Sequence, residues 1–159
     1  MIKPLLLQAS ARPHGDTHRV ASKLVTELDA RHLDLLDYVI HPFRYEQEYP
    51  DDDDYLRLIK EEVLAHDHII FASPVYWYSM SGGLKIFFDR LSDLLKSRKD
   101  LGRRLRGKRM SVLSVSNDAA VNDSFFDAFR LSAEYLGMDY GEEWHGWVEE
   151  ESATYVRRT

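Results

Sequence analysis

Short apolar runs alternate along the chain with segments in which apolar residues recur every three or four positions. The runs predict buried β-strands, and the segments with helical period predict amphipathic helices that cover a sheet. The five predicted strands are residues 4–9, 33–40, 68–72, 110–115 and 138–148. The four predicted helices are residues 17–30, 52–65, 83–97 and 123–136. No internal repeat or low-complexity linker divides this pattern, so we expect residues 1–159 to form a single domain.

Strands that are separated by helices predict an α/β fold, because parallel neighbours need crossover connections, which are almost always right-handed. Five strands in 159 residues favour a flavodoxin-like doubly wound parallel sheet, with strand order 2-1-3-4-5, over the six-stranded dinucleotide-binding fold. Ligands of such sheets bind at the carboxyl ends of the strands, where the strand order reverses. This point lies between strands 1 and 3, so the loops after Ala9 and Ala72 form the candidate site.

The first of these loops, residues 10–18, reads S-A-R-P-H-G-D-T-H and leads from a strand into a helix. Free backbone N–H groups at a helix start, serine and threonine hydroxyls and the Arg12 guanidinium together suit a phosphate group. The loop lacks both the G-x-G-x-x-G and the G-x-x-x-x-G-K-[ST] fingerprint of nucleotide-binding sites. A plain turn without a ligand, in which Asp16 or Thr17 is the helix N-cap, explains the loop equally well.

The second loop, residues 73–83, reads S-P-V-Y-W-Y-S-M-S-G-G and carries large side chains where a chain normally turns with small polar residues. Aromatic and sulfur-containing surface at the mouth of a crevice suits a planar ring. Alternatively, Tyr76 and Trp77 cover the core or contact a second subunit. A phosphate site and a ring platform on two neighbouring strands match the two ends of flavin mononucleotide (FMN).

Composition excludes several other kinds of site and partner. The chain has no cysteine, so disulfides, thiolate metal sites and cysteine nucleophiles are excluded. A net charge of -6 argues against a nucleic-acid partner, which needs a basic surface. No apolar run approaches the roughly 20 residues of a membrane span, so we expect a cytoplasmic protein with no membrane partner. The histidines lack metal-binding spacings such as H-E-x-x-H, so no metal site is predicted, and the aspartates at residues 51–54 indicate a solvated helix start.

At the two loops the chain resembles the NAD(P)H-dependent FMN reductases of the flavodoxin-like superfamily. Their first loop has the form G-S-x-R-x-x-G-N-T, which residues 9–17 match as A-S-A-R-P-H-G-D-T. Their second loop has the form T-P-V-Y-W-x-S-M-S-x-x-L-K-x-F-x-D-R-L, which residues 73–91 match. The resemblance implies that the FMN phosphate is held by Ser10, Arg12, Gly15, Asp16 and Thr17. It also implies that the ribityl chain and the isoalloxazine ring are lined by Pro74, Val75, Tyr76, Trp77, Ser79 and Met80.

Two positions depart from the family pattern. Asp16 stands where asparagine is common and places a carboxylate beside the phosphate, a conflict that would be resolved if the carboxylate turned inward to cap the helix. The loop after the fourth strand, residues 116–120, lacks a glycine pair that is frequent in flavin reductases, so the predicted contact between Ser116 and the flavin stays open. His14 is a further candidate neighbour of the phosphate, with a positive charge that grows as the pH falls.

The resemblance implies an enzyme that takes hydride from NADPH or NADH and passes electrons to a small molecule. The candidate acceptors are a quinone, an azo compound, a nitroaromatic, a metal oxyanion or free flavin. FMN carries the hydride, so we assign no catalytic residue. Family members are usually dimers or tetramers with the flavin near a subunit boundary, so a homodimer or homotetramer is expected. Two alternatives stay open: a flavodoxin-like electron carrier that a partner protein reduces, and a non-catalytic module on the same fold.

Overall fold

A six-stranded sheet forms the centre of the computed structural model, which describes residues 2–159. Its strands are β1 (Leu5–Gln8), β2 (Arg31–Asp34), β3 (His68–Pro74), β4 (Arg109–Val115), β5 (Asp139–Glu149) and β6 (Ser152–Arg157). The order is β2-β1-β3-β4-β5-β6, with parallel pairing from β2 through to β5. The predicted flavodoxin-like α/β fold and its order 2-1-3-4-5 are confirmed, and one additional strand lies beyond β5.

This additional strand, β6, runs antiparallel to β5 at the edge of the sheet. Glu149 pairs with Ser152, so only Glu150 and Glu151 form the hairpin turn. Both have positive φ, 47° and 65°, as in a type I′ turn, for which asparagine and glycine are the usual residues. The two glutamates carry no such turn signal, which is why the sequence pattern did not predict the hairpin.

Helices cover both faces of the sheet, and each of the four predicted helices is present. The α-helices are α1 (Asp16–Leu28), α2 (Tyr55–Glu61), α3 (Gly82–Arg90), α4 (Lys99–Gly102) and α5 (Ser124–Leu136). The predicted helices 52–65 and 83–97 are shorter than expected, because α2 and α3 are followed by the 3-10 turns Val63–Ala65 and Leu91–Leu95. No helix formed by residues 2–159 is long and apolar enough to cross a lipid bilayer.

The second strand is displaced from its predicted position at residues 33–40. In the structure β2 ends at Asp34, and a 3-10 turn follows directly. The Asp34 carboxylate accepts a hydrogen bond of 2.9 Å from the backbone N–H of Leu36, which starts this turn. A side chain that competes for backbone hydrogen bonds therefore ends the strand earlier than the apolar pattern suggests.

Alternate side chains of the central strands enter two apolar layers on opposite faces of the sheet. Leu5 and Phe71 belong to the layer that α2, α3 and α5 cover. Leu6 and Ile70 belong to the layer that α1 covers. Because both faces are packed, the carboxyl ends of β1, β3 and β4 are held in a defined relation to one another, and so are the loops that follow them.

The run of four aspartates is only in part the solvated helix start that the sequence indicated: Asp51 and Asp52 are exposed and α2 begins directly after Asp54, but Asp53 turns inward. The Asp53 side chain is only 8% exposed and accepts hydrogen bonds of 2.8 and 3.0 Å from the Arg90 guanidinium. Arg90, at the end of α3, also donates to Asp93 at 2.7 Å and to the carbonyl of His41 at 2.9 Å. Its guanidinium lies 3.4 Å from the centre of the Tyr49 ring. A local pattern cannot show the Asp53–Arg90 pair, because 37 positions separate the two residues.

Candidate functional site

An open cavity of about 260 Å³ lies at the carboxyl ends of β1, β3 and β4, where the strand order reverses. Three loops form it: the two predicted loops and the loop after β4. The lining residues are Ser10, Arg12, Asp16, Thr17, Pro74, Val75, Tyr76, Val115, Ser116 and Asn117. The structure therefore brings residues of both predicted loops, together with Ser116, into one site.

The first loop presents hydrogen-bond donors at one end of this cavity. Gly15 is the N-cap of α1, and no side chain there accepts from the first N–H groups of the helix. These N–H groups have no partner within the helix. Ser10 and Thr17, both largely buried, add hydroxyls, and the exposed Arg12 adds a guanidinium. An anion at this end of the cavity would meet donors on several sides.

Gly15 does not line the cavity, but it allows Arg12 to fold over the helix start. A Cβ at this position would overlap the Nε atom of Arg12. The φ of Gly15 is -87°, a value that any residue adopts. The absence of a side chain at this position therefore sets where the Arg12 side chain lies, and the backbone conformation is an ordinary one.

The Asp16 carboxylate does not cap α1, so the capping interpretation is wrong. Gly15 occupies the N-cap position, and Asp16 is the first residue of the helix. Its carboxylate oxygen lies 3.9 Å from Nη1 of Arg19, one turn further along. Arg19 therefore offsets part of the negative charge that Asp16 places at the cavity wall.

His14 lies outside this cavity, so the structure does not support the predicted contact with the phosphate. Its ring packs edge-on against the ring of His18, with 5.0 Å between the ring centres. It lines an adjoining cavity, also about 260 Å³, together with Pro13, His18, His32, Asp34 and Asp37. Within residues 2–159, no three histidine, aspartate or glutamate side chains are arranged to hold a metal ion.

The second loop forms a tight hairpin turn at the other end of the cavity. Tyr76 and Ser79 exchange two backbone hydrogen bonds, of 2.9 and 3.1 Å. Between them Trp77 and Tyr78 have positive φ, 51° and 67°, a conformation that is strained for residues other than glycine, asparagine and aspartate. Tyr76 lines the cavity, whereas Trp77 is 93% exposed. The structure thus places Trp77 and Ser79, both predicted flavin contacts, on the turn and not on the cavity wall.

Met80, another predicted flavin contact, is buried in the core. Two serines, which the sequence did not indicate as site residues, hold this part of the loop against the end of β1. Ser73 Oγ accepts from the N–H of Ser81 at 3.0 Å, and Ser81 Oγ donates to the carbonyl of Ala9 at 2.7 Å. Ser81 also caps α3 by accepting from the N–H of Leu84. It therefore ties the second loop to the end of β1. A serine directly before a predicted helix is an N-cap signal that could have identified it.

A buried histidine holds the loop after β4. His145, in β5, is 1% exposed, and its Nε2 donates to the carbonyl of Asp118 at 2.9 Å. The Asp118 carboxylate accepts from the N–H of Ala120 at 2.7 Å. Ser116 therefore has a defined position at the cavity although the glycine pair of the family is absent. The sequence carries no local signal for His145, because its contact with Asp118 spans 27 positions.

Charge is concentrated at one end of the cavity. Among the lining side chains only Arg12 and Asp16 are charged at neutral pH, and both belong to the first loop. Arg12 makes no ion pair within residues 2–159, since Asp16 lies beside Arg19. Pro74, Val75 and Tyr76 give the other end an apolar surface. The arrangement suits a ligand with an anionic end and a planar, partly apolar end.

Comparisons with known proteins agree with this chemistry. The family described as NADPH-dependent FMN reductase matches residues 2–140. YwqN of Bacillus subtilis (strain 168), named as an NAD(P)H-dependent FMN-containing oxidoreductase, is 36% identical over 124 residues, which are 74% of this chain and 68% of YwqN. YdeQ of the same organism, named as an NAD(P)H oxidoreductase, is 30% identical over 92 residues, 51% of this chain and 47% of YdeQ.

Solved structures show the same fold. The Trp repressor binding protein from Bacillus subtilis superimposes with a TM-score of 0.72 at 28% identity, covering 94% of this chain and 90% of that protein. An FMN-dependent NADH-azoreductase from Bacillus anthracis, solved in complex with FMN, superimposes with a TM-score of 0.61 at 14% identity. That alignment covers 88% of this chain and 84% of the azoreductase, and it shows the fold alone.

Proposed function

Since the chain belongs to the NADPH-dependent FMN reductase family, we propose that its open cavity holds FMN and passes electrons from NAD(P)H to a small planar acceptor. The protein is an NAD(P)H-dependent FMN oxidoreductase. We propose in addition where FMN binds on this chain and which class of acceptor it reduces. A quinone, an azo compound, a nitroaromatic or free flavin has the required shape and accepts electrons from reduced flavin.

The observation that carries the proposal is the division of one cavity into a donor-rich end and an apolar end. The FMN phosphate would bind Ser10, Arg12 and Thr17 and the free N–H groups at the start of α1. Hydrogen bonds to a charged group are worth roughly 1.5 to 3 kcal/mol each, so three of them would retain the phosphate although the chain is acidic. Gly15 fits this role, because a side chain there would displace the Arg12 guanidinium.

The apolar end suits a flavin ring. Val75 and Tyr76 would orient one face of the ring, and Ser116 and Asn117, which line the same cavity, would supply polar groups for its hydrogen-bonding edge. Bound FMN supplies the hydride chemistry, so these residues need only position the ring and tune its environment. Among the lining side chains, the Asp16 carboxylate, which lies at the phosphate end, and the Tyr76 hydroxyl are of the kinds that act as general acid or base.

The size of the cavity bears on the acceptor. Its volume of about 260 Å³ lies below the roughly 300 to 1,000 Å³ of enclosed ligand pockets, so a bound flavin would keep one face open. NAD(P)H and the acceptor would use this face in turn, which predicts ping-pong kinetics. Because the apolar end carries no charge, we expect uncharged planar acceptors to be preferred over charged ones.

An anaerobic reduction experiment tests the proposal. The purified protein is loaded with FMN, its visible spectrum is recorded, and NADPH or NADH is added before each acceptor in turn. We expect the flavin bands to bleach with the nicotinamide and to return with a quinone, azo or nitroaromatic acceptor. Flavin bands that nicotinamide does not bleach would favour the electron-carrier alternative. Protein that neither contains flavin nor quenches FMN fluorescence would favour a non-catalytic module.

A pair of variants tests the placement of the phosphate. Arg12→Gln should weaken FMN binding at least about tenfold, the loss of one charged hydrogen bond, and should change riboflavin binding little because riboflavin has no phosphate. Arg130→Gln, an exposed arginine on α5 that pairs with Asp127, is the charge-matched control and should bind FMN as the wild type does. Equal FMN affinities for the two variants would contradict the placement.

A further inference from the structure

Gln8 is the last residue of β1, and its fully buried side chain contacts the first loop. Its Nε2 donates to the carbonyl of Pro13, in that loop, and to a carboxylate oxygen of Asp34, both at 3.3 Å. Its Oε1 accepts from Nδ1 of His18 at 3.1 Å and from Nε2 of His32 at 2.9 Å. One side chain therefore connects the first loop to α1 and to β2.

Only one orientation of the Gln8 amide satisfies all four contacts. The Pro13 carbonyl can only accept a hydrogen bond, so the amide NH2 must face it. The amide oxygen can also only accept, so His18 and His32 must both donate to it. A buried amide with every donor and acceptor used is held firmly, because any rotation would leave polar groups unpaired.

Five ionisable side chains take part in this hydrogen-bond network or lie beside it. His18 and His32 stack with 5.3 Å between their ring centres, and His14 packs against His18. Asp34 and Asp37 complete the wall of the adjoining cavity. Burial, followed by the influence of His18, lowers the pKa of His32, whereas burial raises the pKa of Asp34. A charge introduced at position 8 would interact with all of these groups.

We propose that Gln8 is a positioning residue, which holds the Pro13 carbonyl and with it the first loop in the shape that accepts the FMN phosphate. This inference rests on the proposed function, because it assumes that the phosphate binds at the first loop. Pro13 has no N–H, so its carbonyl is the only backbone group through which this residue can be hydrogen-bonded. Gln8 provides that hydrogen bond from a strand that the core holds in place. Gln8 does not line the cavity, so its effect on FMN acts through the loop.

Replacement by methionine tests the hydrogen bonds. Gln8→Met keeps the length of the side chain and removes all four bonds. We expect FMN binding to weaken about tenfold, as for the loss of one or two hydrogen bonds. Riboflavin binding should change by less than about twofold, because riboflavin has no phosphate for the first loop to hold. A general loss of structure would instead weaken both ligands together.

Replacement by glutamate tests whether a charge at position 8 affects the first loop, and the readout is the pH dependence of FMN binding. In Gln8→Glu a carboxylate faces the Pro13 carbonyl and Asp34, which should weaken FMN binding strongly at about pH 8. A carboxylate at position 8 favours the protonated form of the imidazoles that it faces, so acidification to about pH 6 brings compensating positive charge beside it. The affinity of Gln8→Glu relative to wild type should therefore recover on acidification, whereas the deficit of Gln8→Met should stay constant.

The measurement is quenching of flavin fluorescence by the wild type, both Gln8 variants and Gln47→Met, which replaces the only other glutamine in the chain. Gln47 accepts from the N–H of Ser97, far along the chain from the first loop, and its variant should bind FMN as the wild type does. Thermal melting followed by circular dichroism checks that each variant folds. If Gln8→Met does not fold, the pH response of Gln8→Glu decides the question alone.

The proposal is overturned if Gln8→Met binds FMN as tightly as the wild type, or if it loses FMN and riboflavin in equal proportion. It is also overturned if the deficit of Gln8→Glu is the same at both pH values. A wild type that binds no FMN would overturn the proposed function and this inference together. That outcome is distinguishable from the others, because it does not depend on any variant.

Discussion

Replacing Arg90 by methionine should destabilise the fold far more than replacing an exposed arginine. The Arg90 side chain is 1% exposed, and its partners Asp53 and Asp93 are 8% and 4% exposed. Arg90→Met keeps an unbranched apolar stem but leaves two buried carboxylates without their cation. The segment that carries His41, Tyr49 and Asp53 would lose its main attachment to α3.

The burial of these three side chains sets the expected loss of unfolding free energy. Removing one partner of a buried ion pair costs about 3 to 5 kcal/mol, because the remaining charge is left uncompensated. Arg57 is the matched control, since it also bridges two carboxylates, those of Asp54 and Glu61, but is 52% exposed. Pairs at such exposed positions are worth about 0 to 1 kcal/mol. Arg57→Met should therefore lower the free energy of unfolding far less than Arg90→Met does.

The loss of unfolding free energy in Arg90→Met should also depend on pH and become smaller as the pH falls. Burial raises the pKa of Asp53, but the hydrogen bonds from Arg90 and the backbone outweigh it, so its pKa lies below the ordinary value. In the wild type the stabilisation from Asp53 is therefore present above the pKa of the unfolded chain and is lost as the pH falls through the lowered folded pKa. Without Arg90 the largest of the influences that lower this pKa is lost, so the pKa of Asp53 rises, and the variant is penalised most at neutral pH and relieved as the pH falls. The difference between the two proteins should shrink from about pH 7 to about pH 4.

Urea unfolding followed by circular dichroism measures these free energies directly. The wild type, Arg90→Met and Arg57→Met are compared at about pH 7 and at the lowest pH at which all three fold. The reasoning would be refuted if the two variants lost similar stability at neutral pH. It would equally be refuted if the deficit of Arg90→Met grew as the pH fell.

Three further predictions concern the loops of the site. Gly15→Ala should weaken FMN binding about tenfold in a flavin titration, with little change in melting temperature, because the new Cβ displaces Arg12 and not the helix; unchanged affinity would contradict this reasoning. Ser81→Ala should lower the unfolding free energy by about 1 to 2 kcal/mol, because it removes the α3 cap and the bond to Ala9. Urea unfolding measures this loss against Ser97→Ala, whose hydroxyl makes a single long bond of 3.4 Å, and an equal loss in both variants would count against the role of Ser81. The double change Trp77→Asn and Tyr78→Gly should raise the unfolding free energy by about 1 kcal/mol or more, because it relieves the strained turn; a lower melting temperature would argue against strain.

The sheet and its order could be predicted because burial leaves a local trace in the sequence. Strands such as His68–Pro74 are covered on both faces and therefore read as continuous apolar runs, while α1 and α5 show an apolar stripe at helical spacing. The order then follows from the crossover rule and the chain length. The hairpin to β6 was missed because its turn uses two glutamates in place of a recognisable turn pair.

Part of the candidate site could also be predicted, because loops that follow adjacent parallel strands meet at one edge of the sheet. Ser10, Arg12 and Thr17 lie beside Val75 and Tyr76 because the loops that carry them follow two adjacent strands. The resemblance to a family supplied Met80 and Trp77 as flavin contacts, but the structure buries Met80 and exposes Trp77 on the turn. Which side chains of a loop face the cavity depends on how its backbone is held, here by Ser73 and Ser81, and a motif does not show this.

By itself the sequence determined the alternation of strands and helices, the strand order of the parallel sheet and the two loops that meet where this order reverses. Only the tertiary structure decided which side chains support those loops: Arg90 with Asp53, His145 with Asp118, and Gln8 with His18 and His32. The physical reason is that burial constrains each residue separately and so produces a periodic pattern along the chain. A buried hydrogen bond constrains two residues at once, and packing in three dimensions, not sequence spacing, determines which two meet.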